Sequence, residues 1–478
     1  MVRAVIGDET YVEGFIDSVL QSGITLQVGL AVGRVGIGSG RDAVFALIPT
    51  PQNEGQEVAH LEGESAKELD KRKGTKGKSP AQSLQIDMDW VAEHARQVSK
   101  MLVGGIRVVG CFILASESVF KSSAALLWQT SKMVALALDA SFNKLSLDDL
   151  LLMHFSFSPR RVSCKNCSFE LGYGSSSFRP CEWRAAKTLS GLHSISCLYR
   201  FECRAPVYAK EPTKKRLLDT LLSAVDAETT RLEAALVLSD GSLVVEDKAL
   251  IGDTDHEVEM FLPFDCPPTD IRNGEVSGLA IVSGSIQAHA YGFSRDPWSR
   301  AASDLKADIV KSLRSRLEIL HDEIDNFSKD VNPITNGEHT VHPLQRVEGT
   351  SEFRCKLPRR LLFPWLEGVF LCDYLQEGES LQDVDGRLKD LLHVNNPLDQ
   401  GRILQHENDV EVLMRRSFWE ASVGNANIHE DKRKQAGSIS NAVSGAMMLK
   451  AIGVLSFCVL LVSIIASYFI TVRKKSAS

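Results

Sequence analysis

The stretch Asp87–Ala115 reads DMDWVAEHARQVSKMLVGGIRVVGCFILA, and it decides the fold because a helix pattern gives way there to a strand pattern. In its first half the apolar side chains recur at helical spacing. Asp87 or Asp89 can cap this helix, and Gly104-Gly105 would end it. The second half, Ile106–Ala115, is an almost continuous apolar run with β-branched residues near its start. Such a run predicts a strand buried on both faces.

The segments around this stretch predict a mixed α/β domain over residues 1–150. Leu26–Val35 and Asp42–Ile48 are rich in β-formers and are separated by glycines. They favour two strands joined by a hairpin over a phosphate-binding loop, because neither a helix pattern nor a Lys-Ser or Lys-Thr pair follows. A second helix is expected around Ala124–Phe142. Residues 49–80 are polar with a lysine-rich centre, which predicts a solvated loop.

Residues 151–327 predict a second α/β unit. It combines a hairpin signal at Ser239-Asp240-Gly241, several strands and a closing amphipathic helix, Ala301–Phe327. A cysteine-rich stretch, Phe155–Arg204, is interpreted as an insertion into this unit. Composition then predicts an exposed loop, the C-terminal part of the folded head and a polar tether, at residues 328–353, 354–424 and 425–450.

A long apolar segment follows the tether. Ala451–Val472 reads AIGVLSFCVLLVSIIASYFITV and carries no charge. At ~1.5 Å per residue a helix of this length reaches about 33 Å, enough to cross a hydrocarbon core of ~30 Å. Lys450 precedes the segment and a basic tail, residues 473–478, follows it. The sequence therefore predicts one transmembrane helix that is inserted after synthesis, as in a tail-anchored protein.

The N-terminus sets the expected orientation of the folded head. Met1–Tyr11 carries Asp8 and Glu9 where a signal peptide would need an apolar core, so a cytosolic head is predicted. The basic tail and the moderately apolar helix fit the endoplasmic reticulum membrane and also the mitochondrial outer membrane. The glycosylation patterns at Asn166 and Asn326 would then never meet the modifying enzyme.

Charge and cysteine usage exclude some classes of function. The net charge of −7 is too mild and too mixed to suggest nucleic-acid binding. The ten cysteines are scattered and should stay reduced in a cytosolic head. A zinc ribbon needs two close pairs, and only one exists. We therefore expect no metal site and no cofactor. If a metal were bound, its candidate ligands would be Cys164, Cys167, Cys181 and Cys197.

The strand that contains Gly110-Cys111-Phe112, with a helix leading into it, resembles the MPN (JAB) domain of isopeptidases. In metal-dependent members of that family this strand ends in a histidine pair that binds zinc. Here the following positions are Ile113, Leu114 and Ala115, and none of these side chains can bind zinc. The resemblance implies an MPN-like mixed sheet whose metal site is missing.

Two further groups of residues carry a family resemblance over most of the chain. The first is a DWVxEHA stretch and the second is an LPRR and LCDY pair, formed by Asp89, Trp90, Glu93 and His94, and by Leu357, Pro358, Arg359, Arg360, Leu371, Cys372, Asp373 and Tyr374. With the terminal anchor, they resemble the odorant-response-abnormal-four family. The resemblance implies a non-catalytic adaptor in the endoplasmic reticulum membrane. Its implied partners are a ubiquitin-fold-modifier-specific protease, bound through the MPN-like segment of that protease, and multi-span receptors whose trafficking it supports.

Two other functions stay open at this stage. The chain could be a zinc-dependent or thiol hydrolase, although it has no GxSxG elbow and no HExxH helix. The thiol candidate, Cys111, is expected inside a buried strand, where its thiolate is disfavoured. Alternatively, Ser463 and Ser467 are spaced for close helix contact, which would suit a receptor chaperone acting through the tail.

Overall fold

The computed structural model describes residues 3–36, 41–62, 83–142, 149–170, 173–174, 177–208, 214–239, 241–245, 247–250, 255–263, 276–330, 344–346, 352–355, 357–376, 378–393 and 405–406. All of them belong to one compact unit, Met1–Asp409. The predicted tether and membrane span lie outside the described residues. Within the described ranges no helix combines the length and apolar character that crossing a bilayer requires.

The first part of the chain alternates strands and helices, as predicted. Its elements are β1 (Arg3–Asp8), α1 (Gly14–Ser22), β2 (Gln27–Arg34), β3 (Asp42–Pro49), β4 (Ala59–Glu62), β5 (Ser83–Ile86), α2 (Met88–Met101), β6 (Arg107–Leu114), α3 (Glu117–Ser122), α4 (Ala124–Phe142), β7 (Asp149–Phe157), β8 (Arg160–Ser168) and β9 (Phe178–Ala186).

Seven of these strands form a closed barrel in the order β1-β3-β2-β6-β7-β8-β9. Strand β9 closes it by pairing in parallel with β1, from Arg3 opposite Cys181 to Asp8 opposite Ala186. Strand β6 is central and almost entirely buried, which confirms the prediction for Ile106–Ala115. The barrel uses strands from both sides of residue 150, where the sequence suggested a boundary between two units.

The second part adds a seven-stranded sheet with helices. Its elements are β10 (Leu192–Tyr208), α5 (Lys214–Glu233), β11 (Leu236–Ser239), β12 (Ser242–Leu243), β13 (Asp255–Phe261), β14 (Val276–Phe293), α6 (Trp298–Asp330), β15 (Leu344–Arg346), β16 (Glu352–Cys355), β17 (Arg359–Leu366), β18 (Val369–Leu375), α7 (Leu381–Leu392) and β19 (Gln405–His406). The large sheet has the order β12-β11-β13-β10-β14-β16-β15, and β18-β17-β19 form a separate small sheet.

Three sequence interpretations need correction. The cysteine-rich stretch is not an insertion, because β8, β9 and β10 build it into the barrel and the large sheet. The segment 328–353, expected to be a loop, contributes Leu344–Arg346 as an edge strand that pairs with β16. The polar segment 49–80 contains β4, which pairs with β5. Strands of three or four residues are too short to give a clear alternation in sequence.

Three apolar cores hold these layers together. One fills the barrel with side chains such as Val5, Phe112 and Phe155. A second lies on the other face of β2, β3, β6 and β7, beneath α2, α4, α7 and the β17–β18 hairpin. The third lies between the large sheet and helices α5 and α6, and it includes the predicted apolar stripe of Leu305, Ile309, Leu313, Leu317 and Leu320.

Candidate functional site

His94 of the DWVxEHA stretch is a buried structural residue. Its Nε2 lies 2.8 Å from the Leu391 carbonyl at the end of α7. A carbonyl only accepts, so Nε2 carries the proton, and Nδ1 can accept from the Thr50 hydroxyl at 3.3 Å. Burial lowers the pKa of His94 to about 4, which keeps the ring neutral. A neutral ring with both nitrogens engaged joins α2 to α7.

The other members of this stretch also have local roles. The Trp90 indole donates to the Pro51 carbonyl at 2.8 Å. Asp87, rather than Asp89, caps the helix by accepting from the Trp90 amide. Asp89 is an exposed carboxylate in the first turn, where it complements the helix dipole. Glu93 accepts from Arg96 at 2.6 and 2.8 Å on the same helix.

The LPRR and LCDY residues meet this helix although about 270 residues separate them in sequence. They form the β17–β18 hairpin, in which Arg360 lies opposite Tyr374 and Leu362 opposite Cys372. Leu371 forms an isolated bridge with Leu102. The Cys372 thiol donates to the Lys100 carbonyl at 3.4 Å. The two motifs of the sequence are therefore in contact with each other.

The remaining motif residues flank this contact. Leu357 packs against the core beneath the large sheet, and Pro358 is buried beside it. Arg359 begins β17. Arg387 of α7 donates to Asp373 at 2.9 Å, although burial raises the pKa of Asp373 overall. The guanidinium of Arg316 lies 5.7 Å from the centre of the Tyr374 ring, a cation–π contact.

Arg360 and Asp308 form a buried ion pair between β17 and α6. Both terminal nitrogens of Arg360 donate to the carboxylate, at 2.7 and 2.8 Å. Asp308 also accepts from the His289 amide at 3.0 Å. Burial opposes the charge of Asp308, but the charge and hydrogen bonds of Arg360 outweigh it and lower the pKa of Asp308. Arg360 in turn donates to the Gln287 carbonyl at 3.1 Å, which fixes the hairpin on β14.

A second buried arginine joins the barrel to the same helix. Arg34 of β2 pairs with Asp304 and with Asp296, each at 2.8 Å. It also donates to the Gly105 carbonyl at 3.1 Å. Gly104 makes two backbone hydrogen bonds with β14. Its amide donates to the His289 carbonyl and its carbonyl accepts from the Tyr291 amide, at 2.9 Å each. The Gly104-Gly105 turn predicted to end α2 is therefore part of the contact between barrel and sheet.

These charges form a structural junction and supply no reactive group. Burial raises the pKa of Cys111 to about 12, as the sequence interpretation expected for this thiol. The same effect raises the pKa of the Cys167, Cys197, Cys203 and Cys355 thiols to about 12. None of these five cysteines is a thiolate near neutral pH.

The four metal candidates are not brought together. A CxxC within a strand places its two thiols on opposite faces, because side chains alternate. Accordingly Cys164 faces the barrel core and Cys167 the core beneath α2, while Cys197 lies in the third core. Only Cys164 and Cys181 are neighbours, directly opposite each other on β8 and β9. Within the described part of the chain no group of three or more metal-binding side chains occurs.

An exposed apolar surface lies on the large sheet, on the face away from α5 and α6. Leu198, Leu236, Leu243 and Phe261 are 53, 46, 60 and 58% exposed. Leu236 is paired with Phe261 and Leu243 with Leu238, so these side chains share a face. Their neighbours in sequence, such as Val237 and Cys197, point into the core instead. We call the four exposed residues the outer face. Single exposed apolar residues are ordinary, but a cluster on one sheet indicates an interaction surface.

An acidic row and a groove border the outer face. Asp255, Glu257 and Glu259 are exposed and alternate along β13 with buried or half-buried positions, so they point to the same side as Phe261. At the edge of the sheet, Leu236 and Leu243 also line an open groove of about 750 Å³ between the β11–β12 hairpin and helices α5 and α6. The sequence predicted some of these strands but not which face stays uncovered.

The sequence matches the family described as ODR4-like, odorant response abnormal 4-like, over residues 29–402. It is similar to the odr-4 homolog of Xenopus laevis, with 20% identity over 409 residues that cover 80% of this chain and 82% of that protein. The odr-4 homolog of Homo sapiens is 23% identical over 432 residues, 85% of this chain and 87% of that protein. The odr-4 homolog of Dictyostelium discoideum is 21% identical over 386 residues, which cover 78% of this chain and 76% of that protein.

Among solved structures, the crystal structure of UfSP from C. elegans superposes with a TM-score of 0.37 and 10% identity. The superposition covers 84% of this chain and 59% of that chain. A likeness of this size is too low to assign the fold.

Proposed function

The chain belongs to the ODR4-like family, and from that membership we propose that it is a non-catalytic, tail-anchored adaptor of the endoplasmic reticulum membrane. Its cytosolic head recruits a ubiquitin-fold-modifier-specific protease through the MPN-like segment of that protease. The barrel of this chain is itself an MPN-like fold without a metal site. At the positions after Phe112, Ile113, Leu114 and Ala115 are buried apolar residues, which supports this part of the proposal.

The outer face is the observation that carries the adaptor proposal. It presents large apolar side chains beside the carboxylates of Asp255, Glu257 and Glu259, and no ion pair among the described residues neutralises these three. A partner that fits this surface carries an apolar stripe with basic residues next to it. Apolar contacts at the centre supply most of the affinity, and the acidic row favours the correct partner and its approach.

Anchoring explains how an adaptor without chemistry is useful. A head held to the membrane by Ala451–Val472 brings its partner to that surface and raises the local concentration of the partner there. The same surface would support receptor trafficking if the partner were a basic cytosolic segment of a multi-span receptor. The binding experiment below, run with either partner, separates the two roles.

The test is a binding measurement between the purified full-length chain in detergent and the purified protease. We expect wild type to bind, and Leu243→Asp and Phe261→Asp each to weaken binding tenfold or more, about 1.4 kcal/mol. Leu136→Asp is the matched control, because Leu136 is 54% exposed on α4, outside the outer face. If wild type does not bind, the recruitment role is wrong. If all three variants bind like wild type, the outer face is not the docking surface.

A second test concerns the anchor. A chain lacking Ala451–Ser478, expressed in cells without the full-length protein, should leave the protease in the soluble fraction. If the protease stays on the membrane in these cells, the chain does not tether it. A reporter fused to Asn425–Ser478 should label the endoplasmic reticulum, and labelling of mitochondria would place the adaptor on their outer membrane instead.

A further inference from the structure

Cys164 and Cys181 form a cross-strand pair of thiols. They lie directly opposite each other in the antiparallel ladder of β8 and β9, and both are present as cysteine thiols in the structure. Residues paired in this way have Cα atoms about 4.5–5.5 Å apart and side chains on the same face. Disulfides span about 4.4–6.8 Å between Cα atoms. The Cα spacing of the ladder therefore suits a disulfide between Cys164 and Cys181.

The two thiols differ in access. Cys164 is buried in the barrel core, whereas Cys181 is partly exposed and packs against the same core. Of the described cysteines, the other seven are buried, so a solute oxidant meets Cys181 first. Redox-responsive cysteines are accessible to solvent and often lie next to a resolving cysteine, as Cys181 lies next to Cys164.

We propose that Cys164 and Cys181 are a reversible oxidation site that responds to hydroperoxides. The Cys181 thiolate attacks the distal oxygen of the hydroperoxide, the O–O bond breaks, and an alcohol or water leaves with a proton. The Cys164 sulfur then attacks the Cys181 sulfur of the sulfenic acid, the S–O bond breaks, and water leaves with the Cys164 proton. Overall the two thiols lose two electrons and two protons, and the hydroperoxide is reduced by two electrons. A dithiol restores both cysteines by exchange.

The position of the pair gives the bond a structural effect. Strand β9 closes the barrel through its parallel pairing with β1, which begins with Arg3 opposite Cys181. A bond from Cys181 to Cys164 would fix β9 to β8 at the start of that closing ladder. The Asp8 carboxylate at the other end of the ladder accepts from the amide and the hydroxyl of Thr188, at 3.0 Å each. Oxidation would therefore hold β9 from both ends.

The experiment treats the purified full-length chain in detergent with hydrogen peroxide, blocks residual thiols with N-ethylmaleimide and identifies linked peptides by mass spectrometry. We expect a Cys164–Cys181 link as the main product, reversed by dithiothreitol. Cys197 and Cys203 are the matched controls, because they face Ala288 and Val282 across the ladder and should stay reduced. Cys164→Ser should leave Cys181 as a sulfenic acid that dimedone labels.

Two outcomes would overturn the proposal. One is a wild-type chain in which peroxide oxidises Cys181 without forming the link. The other is a link that forms as fast in 6 M urea, about the strength that unfolds ordinary domains, as in the native chain, because then the ladder contributes nothing. We expect urea to slow link formation at least tenfold. Both measurements use wild-type protein, so they do not depend on how well a variant folds.

Discussion

Arg360 and Asp308 face each other as a bidentate pair with no exposed side-chain surface, 52 residues apart in sequence. Arg360 comes from the small hairpin sheet and Asp308 from the long helix behind the large sheet. Bringing two charges out of water is costly, and only good geometry and further hydrogen bonds compensate for it. The pair has both, because Asp308 also accepts a hydrogen bond from the His289 amide and Arg360 donates one to the Gln287 carbonyl.

Removing one member of this pair should destabilise the head strongly. Asp308→Asn leaves the Arg360 charge buried without its counter-ion, and we expect a loss of about 3–5 kcal/mol. The double change Arg360→Met with Asp308→Leu removes both charges and should recover most of that loss. The free energy of unfolding from urea titration measures both. Equal losses for the single and double variants would show that the pair does not act as a unit.

Acidification should weaken the head through its buried histidines. The pKa of His94 is about 4 in the folded chain, against about 6.5 when unfolded. Between these values the unfolded chain binds more protons, so stability falls as the pH falls through this window. His289, also with a pKa of about 4, adds in the same direction. Each should contribute about 2 kcal/mol of loss between pH 7 and pH 5.

His94→Gln isolates the contribution of His94 to this pH dependence. The glutamine amide can still donate to the Leu391 carbonyl but does not titrate. The variant should lose less stability between pH 7 and pH 5 than wild type does. Melting temperatures at the two pH values measure the difference. An unchanged pH dependence would mean that His94 is accessible to protons in the folded chain.

The turn at Gly105 should tolerate no side chain. Its φ of +79° is strained for other residues, and a Cβ there would collide with Arg34 Nη1 and the Tyr291 carbonyl. Gly55 is the matched control, since its φ is +82° with nothing near the added atom. Gly55→Ala should cost about 1–2 kcal/mol from the backbone alone. Gly105→Ala should lower the free energy of unfolding clearly more than Gly55→Ala does. A similar loss for both variants would mean that the junction can open to accept the methyl group.

Elements with a strong local pattern could be predicted from the sequence, whereas contacts between distant segments could not. The apolar stripe around Trp90 predicted α2, and the apolar run around Cys111 predicted β6, because the periodicity of apolar residues is a local property of the sequence. Asp308 could not be recognised as a partner of Arg360, since an aspartate on an amphipathic helix ordinarily marks a solvated face. Phe261 and Leu236 show the same limit, because alternation predicts a strand but not whether another layer covers its second face.

The orientation of the head can be tested at a single exposed site. The natural pattern at Asn166 is a poor reporter, because Asn166 is buried in β8 and a glycan at a buried position is incompatible with the folded chain. Gly23→Asn creates a glycosylation acceptor, because Ile24 and Thr25 follow the substituted position. The site lies at the exposed end of α1, where φ is +74° and a Cβ meets no atom within 4 Å. Asparagine is the residue that best replaces glycine in this conformation.

We expect no glycan on this variant in cells, because a cytosolic head never meets the enzyme. The same variant with a signal peptide added in front should gain an endoglycosidase-sensitive shift, which controls for access. A glycan without the added signal would place the head in the lumen and exclude recruitment of a cytosolic protease.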